Sequence, residues 1–238
     1  MWGRDRMVAR RDSDDPRGMQ RDIIRVAVVD DHAAVRLGLK SAMASVPGIV
    51  CVGAAGDGGQ MQSLLYRTRP DVVVLDYHLP QVNGLVLCRQ IKQHVLAPAV
   101  LLYSAYADPA LVVPALVAGA DGMIHKGAPA RELLEAIRAV AAGETRLPSP
   151  IPELAQDAAA AVEPDDRAIL ELLIDGVARE RIAVRLGLSA AALEERIDRI
   201  LAELGVPIPL AIPGPGSLTL RPESPGSPGA PPCPGRAD

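Results

Sequence analysis

Five polar residues of this 238-residue chain follow short apolar runs, and their types together describe a site for a phosphoryl group. Asp30 and Asp31 follow Ile23–Val29. Asp76 follows Val72-Val73-Val74-Leu75, Ser104 follows Ala99–Tyr103, and Lys126 comes just after Met123-Ile124. Three carboxylates gathered in one place repel one another unless a cation joins them. An all-oxygen ligand set prefers a hard cation, and magnesium is the expected one. An ammonium and a hydroxyl then complete the site, the first spreading phosphoryl charge and the second donating a hydrogen bond. Asp76 is the expected nucleophile, because a carboxylate can take a phosphoryl group as an acyl phosphate. One aspartate after an apolar run often only caps the turn or helix that follows; five such residues in order ask for more. Lysine is also rare here. Of 25 basic residues only Lys40, Lys92 and Lys126 are lysine, and one of the three stands at this site.

The site needs elements that bring its members to one edge. Ile23–Val29, Ile49–Ala54, Val72–Leu75, Ala99–Tyr103 and Met123–Ile124 read as strands. Helical spacing follows each of them, over Ala33–Val46, Met61–Tyr66, Leu85–His94, Pro109–Ala118 and Ala130–Ala142. Strands apolar on both faces and separated by helices imply a parallel sheet covered on both sides. In such a sheet ligands bind at the carboxyl ends of the strands, where all five polar residues stand.

These residues, with Val-Val-Asp-Asp-His at 28–32, Val-Leu-Asp-Tyr-His-Leu-Pro at 74–80, Asn83-Gly84, Leu-Tyr-Ser-Ala at 102–105 and Gly-Ala-Asp-Gly-Met-Ile-His-Lys at 119–126, resemble the receiver domain of two-component response regulators. The resemblance covers residues 23–143. It implies a flavodoxin-like, doubly wound five-stranded parallel sheet of order 2-1-3-4-5, phosphorylated on Asp76 by a sensor histidine kinase. It implies that Asp31 binds Mg2+ most directly, Asp30 through water, and that Asp76 and the backbone carbonyl of His78 are further ligands. Ser104 and Lys126 serve the phosphoryl group. His78 and Tyr106 stand where side chains govern water access to it; both are bulky, so a slowly decaying phosphoaspartate is expected. The family places an aromatic switch residue three positions before the lysine. This chain has Met123, which packs well but has no ring to rotate, so switching through Ser104 and Met123 is expected to be softer or to use another element.

Beyond a linker at 144–162, interrupted by Pro148, Pro150 and Pro152, residues 163–206 are helical in pattern. Pro164 opens a helix with Asp165 and Asp166 in its first turn, a short helix covers Arg179–Leu186, Gly187 turns the chain, and Ser189 caps a third helix. Leu193, Ile197, Ile200, Leu201 and Leu204 make one apolar stripe on that third helix. The string Arg-Ile-Ala-Val-Arg-Leu-Gly-Leu-Ser at 181–189, ending in Leu-Gly-Val at 204–206, is similar to the LuxR-type helix-turn-helix, and with the receiver it gives the NarL/FixJ architecture. The resemblance implies DNA binding through the third helix. Its outward positions here are Glu194, Glu195 and Asp198, beside Arg196 and Arg199. Residues 163–206 hold ten acidic and six basic residues, a net charge of −4. DNA affinity rests largely on neutralising phosphates, and Glu195 can pair with Arg199 four residues on. The DNA-binding expectation therefore stands beside an alternative, a regulator acting by phosphorylation-dependent protein–protein contact. Prolines 207, 209 and 213 prevent the fourth helix that the family uses in dimerisation, so a homo- or heterodimer through the receiver is expected.

Composition bounds the rest. Hydrophobic residues at 49% with no Phe give a core of Val, Leu, Ile and Ala. The three cysteines (Cys51, Cys88, Cys233) form no metal-spaced pair, so neither zinc nor disulfides are expected. No apolar run approaches the roughly 20 residues that span a bilayer, and a cytoplasmic, bacterial regulator without enzymatic turnover is expected. Residues 1–21, rich in Arg and Asp, and 207–238, rich in Pro and Gly, are expected to be disordered.

Overall fold

The computed structural model describes residues 23–80, 82–94, 96–105, 108–148 and 152–207; of the segments expected to be disordered, 1–21 and 207–238, all but Pro207 lie outside them. Five strands, β1 (Ile24–Val29), β2 (Ile49–Ala55), β3 (Val72–Asp76), β4 (Ala99–Ser104) and β5 (Gly122–His125), pair in parallel in the order β2-β1-β3-β4-β5. The central strands are the β-branched runs: every residue of β3 is buried. Such strands are stable only with both faces covered. Two helices, α1 (Ala33–Ala44) and α5 (Ala130–Ala141), cover one face, where Leu39, Met43, Leu133 and Ile137 pack on Val26, Val28, Val72 and Val74. On the other face lie α2 (Gly58–Thr68), α3 (Gly84–Lys92) and α4 (Val112–Ala118).

Local chemistry sets the helix ends. Asp57 caps α2, so the helix begins at Gly58, earlier than the Met61 start expected from helical spacing. Asn83 caps α3 through the Leu85 N–H. Asp108 caps a single 3-10 turn, Pro109–Leu111, that leads into α4. Gly84 is held by packing: a Cβ there would collide with the backbone carbonyl of Asp76. The start of α3 is thereby pressed against the end of β3.

Four further helices follow: α6 (Pro152–Ala161), α7 (Pro164–Ile174), α8 (Arg179–Leu186) and α9 (Ala190–Glu203). Gly187, at φ 65°, makes the left-handed turn after α8, and Ser189 caps α9 through the Ala192 N–H. Of these helices α6, α7 and α9 pack against α4, and α8 packs on α7 and α9. Ile169, Leu170, Leu193 and Ile197 belong to the same buried cluster as Cys88, Val113 and Val117. The segment after α5 also returns to the sheet: the Arg146 N–H donates to the Asp121 carbonyl, and the Met123 N–H donates to the Arg146 carbonyl.

Candidate functional site

Parallel strand ends bring the five polar residues together. Asp30 follows the last residue of β1, Asp76 closes β3, Ser104 closes β4, and Lys126 follows β5. Asp30 and Asp76 are 1% and 2% exposed, and Ser104 is equally buried. Lys126 Nζ lies 2.7 Å from Asp30 Oδ2 and 2.7 Å from Asp76 Oδ2, bridging the two carboxylates. Burial alone would lower the Lys126 pKa; hydrogen bonds to Asp30 and then Asp76 outweigh it and hold the ammonium above its ordinary value. The aliphatic stem passes the Tyr103 ring, with Nζ 5.7 Å from the ring centre. Backbone groups fix the carboxylates further. The His78 N–H donates to Asp76 Oδ1 at 3.1 Å, and the His32 N–H donates to Asp30 Oδ1 at 2.8 Å.

Ligand atoms of Asp30, Asp31, His32 and Asp76 all lie within 4.8 Å of one another. Asp31 Oδ1 is buried, and His32 Nδ1 lies 2.6 Å from it. Three carboxylates gathered this closely, two of them almost fully buried, fit a hard cation. Arg36, on the first turns of α1, donates to the carbonyls of Asp30 and Asp31 at 2.6 and 2.9 Å and so pins the loop that carries them. Tyr106 lies outside the described residues. Met123 is half-buried in β5 and packs against the core on the α3–α4 side.

The expected DNA contacts on α9 have other partners. Arg89, on α3, is fully buried, and its Nε lies 2.6 Å from Asp198 Oδ1. Its other end binds the Glu194 carboxylate, and Nη2 donates to the Glu194 carbonyl at 2.9 Å. Arg179, at the start of α8, reaches Glu194 at 3.3 Å and donates to the Val117 carbonyl of α4 at 3.0 Å. Burial, followed by the like charge of Arg89, lowers the Arg179 pKa. Glu194 and Asp198 therefore face the receiver-like half, not solvent. The expected Glu195–Arg199 pair is absent among the described residues. Arg199 lies 3.2 Å and Arg196 2.9 Å from Asp166, a carboxylate with no exposure in the first turn of α7. Glu195 is exposed. Nothing in sequence spacing points to Arg89, Arg179 or Asp166, since their partners lie in other elements.

Comparison with known proteins agrees with this geometry. Residues 26–138 match the response regulator receiver domain family. The chain is 30% identical over 194 residues to the DNA-binding transcriptional activator DevR/DosR of Mycobacterium tuberculosis, an alignment that covers 77% of this chain and 89% of that protein. It is 31% identical over 195 residues to the probable transcriptional regulatory protein NarL of the same species, covering 79% and 90%. Among solved structures, a LuxR-family two-component response regulator from an Aurantimonas species superposes with a TM-score of 0.50 at 34% identity, covering 56% of this chain and 94% of that one.

Proposed function

The chain belongs to the two-component response regulators of the NarL type, and from that premise we propose that Asp76 accepts a phosphoryl group from a sensor histidine kinase and that the C-terminal helices then control transcription by binding DNA. The observation that carries the proposal is the double bridge of Lys126 to Asp30 and Asp76, with the Asp31 carboxylate gathered beside them. An Asp76 oxygen attacks phosphorus, the bond from phosphorus to the donor imidazole breaks with its electron pair leaving on nitrogen, and an acyl phosphate remains. Lys126 is freed from Asp76 by the loss of that negative charge and takes up a phosphoryl oxygen. Ser104, buried at the end of β4, donates to another. Asp31, Asp30, Asp76 and the His78 carbonyl would hold Mg2+, which neutralises charge building on the transferring oxygens. His78 flanks the entry that water must use to reverse the reaction.

The C-terminal half is held against the receiver by Arg89, Glu194 and Asp198, and α3, which carries Arg89, begins against the Asp76 carbonyl. A change at Asp76 thus reaches the docked helices through α3, without an aromatic residue at Met123. The similarity to DevR/DosR, a DNA-binding transcriptional activator, supports DNA over a protein partner as the target. Phosphotransfer tests the proposal. A 32P-labelled small-molecule phosphodonor with Mg2+ should label the wild type and leave Asp76→Asn unlabelled, and chelation of Mg2+ should abolish labelling. Equal labelling of Asp76→Asn would overturn it.

A further inference from the structure

Resting on that reading, we infer that His125 is a positioning residue for the phosphoryl site: its imidazole ties the loop after β4 to the loop after β5 and so keeps water from phosphorylated Asp76. His125 is the last residue of β5 and stands opposite Ser104 in the register. The Gly127 N–H donates to its Nδ1 at 2.9 Å. An imidazole nitrogen that accepts carries no proton, so the proton of the neutral ring is on Nε2. Nε2 lies 2.7 Å from the Ala105 carbonyl oxygen and donates to it. Both ring nitrogens of an exposed side chain are thus held by backbone groups, one in each loop. Gly127 shows that the ring has a seat. It is not among the glycines at positive φ, so its backbone conformation does not call for glycine. A Cβ there would stand 2.9 Å from His125 Nδ1 and 3.0 Å from Cε1.

The tie falls where the sheet gives way to the site. The pairing of β4 with β5 reaches Ser104 and His125, and the Lys126 N–H donates to the Ser104 carbonyl at 2.7 Å. The ring carries the connection one residue further, to Ala105. Ser104 and Lys126, the two groups that meet the phosphoryl oxygens, therefore each stand next to an end of the tie. At the far side of the loop Asp108 accepts from the Ala110 N–H at 2.9 Å and caps the turn into α4. Two residues separate these anchors, and one is Tyr106, which the sequence places at the water entry. Side chains two apart on a strand share a face, so His125 stands on the same side of β5 as Met123. That is the side from which the family turns an aromatic ring. Met123 offers none, and His125 supplies a fixed one two residues on. Water reaches Asp76 when the loop opens, so hydrolysis follows the open population. Losing one hydrogen bond of ordinary net strength raises that population by about 2- to 12-fold.

The test is the rate of phosphate release from the full chain, labelled with a 32P small-molecule phosphodonor and Mg2+ and then freed of donor. His125→Leu removes both bonds; it should still be labelled at Asp76 and should lose the label about 2- to 12-fold faster than the wild type. His125→Gln puts an amide N–H near the place of Nε2 and should decay at the wild-type rate. His125→Asn reaches only the place of Nδ1 and should decay as fast as His125→Leu. Gly127→Ala displaces the ring without removing it and should also decay faster. A merely structural role would not separate Gln from Asn. The imidazole 15N signals of wild-type His125 should show the Nε2–H form and should shift on phosphorylation. Equal decay in the wild type and His125→Leu, or decay of His125→Gln at the His125→Leu rate, would overturn the inference and leave the proposed function standing. Should His125→Leu fail to fold, Gly127→Ala and the Gln and Asn variants carry the same comparison. A wild type that takes no label at Asp76 would overturn the proposed function itself, and the role of His125 with it.

Discussion

Removing the two carboxylates that hold Arg89 should detach the C-terminal helices from the receiver. In Glu194→Gln/Asp198→Asn, the Arg89 guanidinium keeps the main-chain carbonyl at 194 and neutral amide acceptors but loses both countercharges in a fully buried site. Breaking a buried ion pair by removing one side costs about 3–5 kcal/mol, because the remaining charge is left uncompensated. At 1.36 kcal/mol per decade this is a shift of about 150- to 5,000-fold towards any state that hydrates Arg89. The receiver core does not depend on the pair: β1–β5 and α1, α2 and α5 pack without α9. The cheaper way to hydrate Arg89 is therefore to open the interface between α3–α4 and α7–α9, not to unfold the sheet. Limited proteolysis across residues 144–151, read by mass spectrometry, should show faster cleavage in the double variant, and hydrogen exchange should rise in α9 while β1 and β3 stay protected. Adding Arg89→Met should restore most of the protection, since replacing a whole buried ion cluster by apolar atoms is often neutral. Unchanged cleavage in the double variant, or failure of Arg89→Met to restore it, would refute the assignment of these three residues as the clasp.

Three further outcomes follow from single sites. Gly84→Ala should destabilise the protein by about 1–3 kcal/mol, read by urea unfolding, because its Cβ meets the Asp76 carbonyl at the edge of the site. Burial pushes the Cys88 thiol up to about 12 from an ordinary 9.0. Between those values the unfolded chain loses the proton while the fold keeps it, so stability falls as pH rises from about 9 to 12. Cys88→Ala should remove up to about 1.4 kcal/mol per pH unit of that alkaline slope in guanidinium titrations, and an unchanged slope would contradict the burial argument. Bulky His78 at the entry predicts a phosphorylated form that lasts minutes or longer; a release time course on labelled protein that ends within seconds would rule this out.

The gathering of Asp30, Asp31, Asp76, Ser104 and Lys126 was legible in the sequence because each stands at or just beyond the end of an apolar run, and a parallel sheet sends all such ends to one edge. The sheet order came from the resemblance to receiver domains, while the Ser189 cap was equally accessible, since it rests on contacts within a few residues. The α9 surface was not. Glu194 and Asp198 read as solvent-facing on a helical wheel, which is blind to a receiver helix packed over them. Their partner Arg89 sits in the last turn of α3, where a basic residue is ordinarily explained by the helix dipole. Arg199 could be paired with Glu195 by spacing, yet a carboxylate buried in α7 outcompetes an exposed one. Two of the three acidic residues that read as outward on α9, Glu194 and Asp198, are thus taken up by Arg89 of the receiver.

The most direct measurement of the central claim is the site of phosphorylation. Protein treated with a phosphodonor and Mg2+ should gain the mass of one phosphoryl group, and borohydride reduction followed by peptide mapping should place the reduced residue at Asp76. The Asp76→Asn variant should gain nothing. A phosphoryl group on any other residue, or none on the wild type with Mg2+ present, would contradict the account.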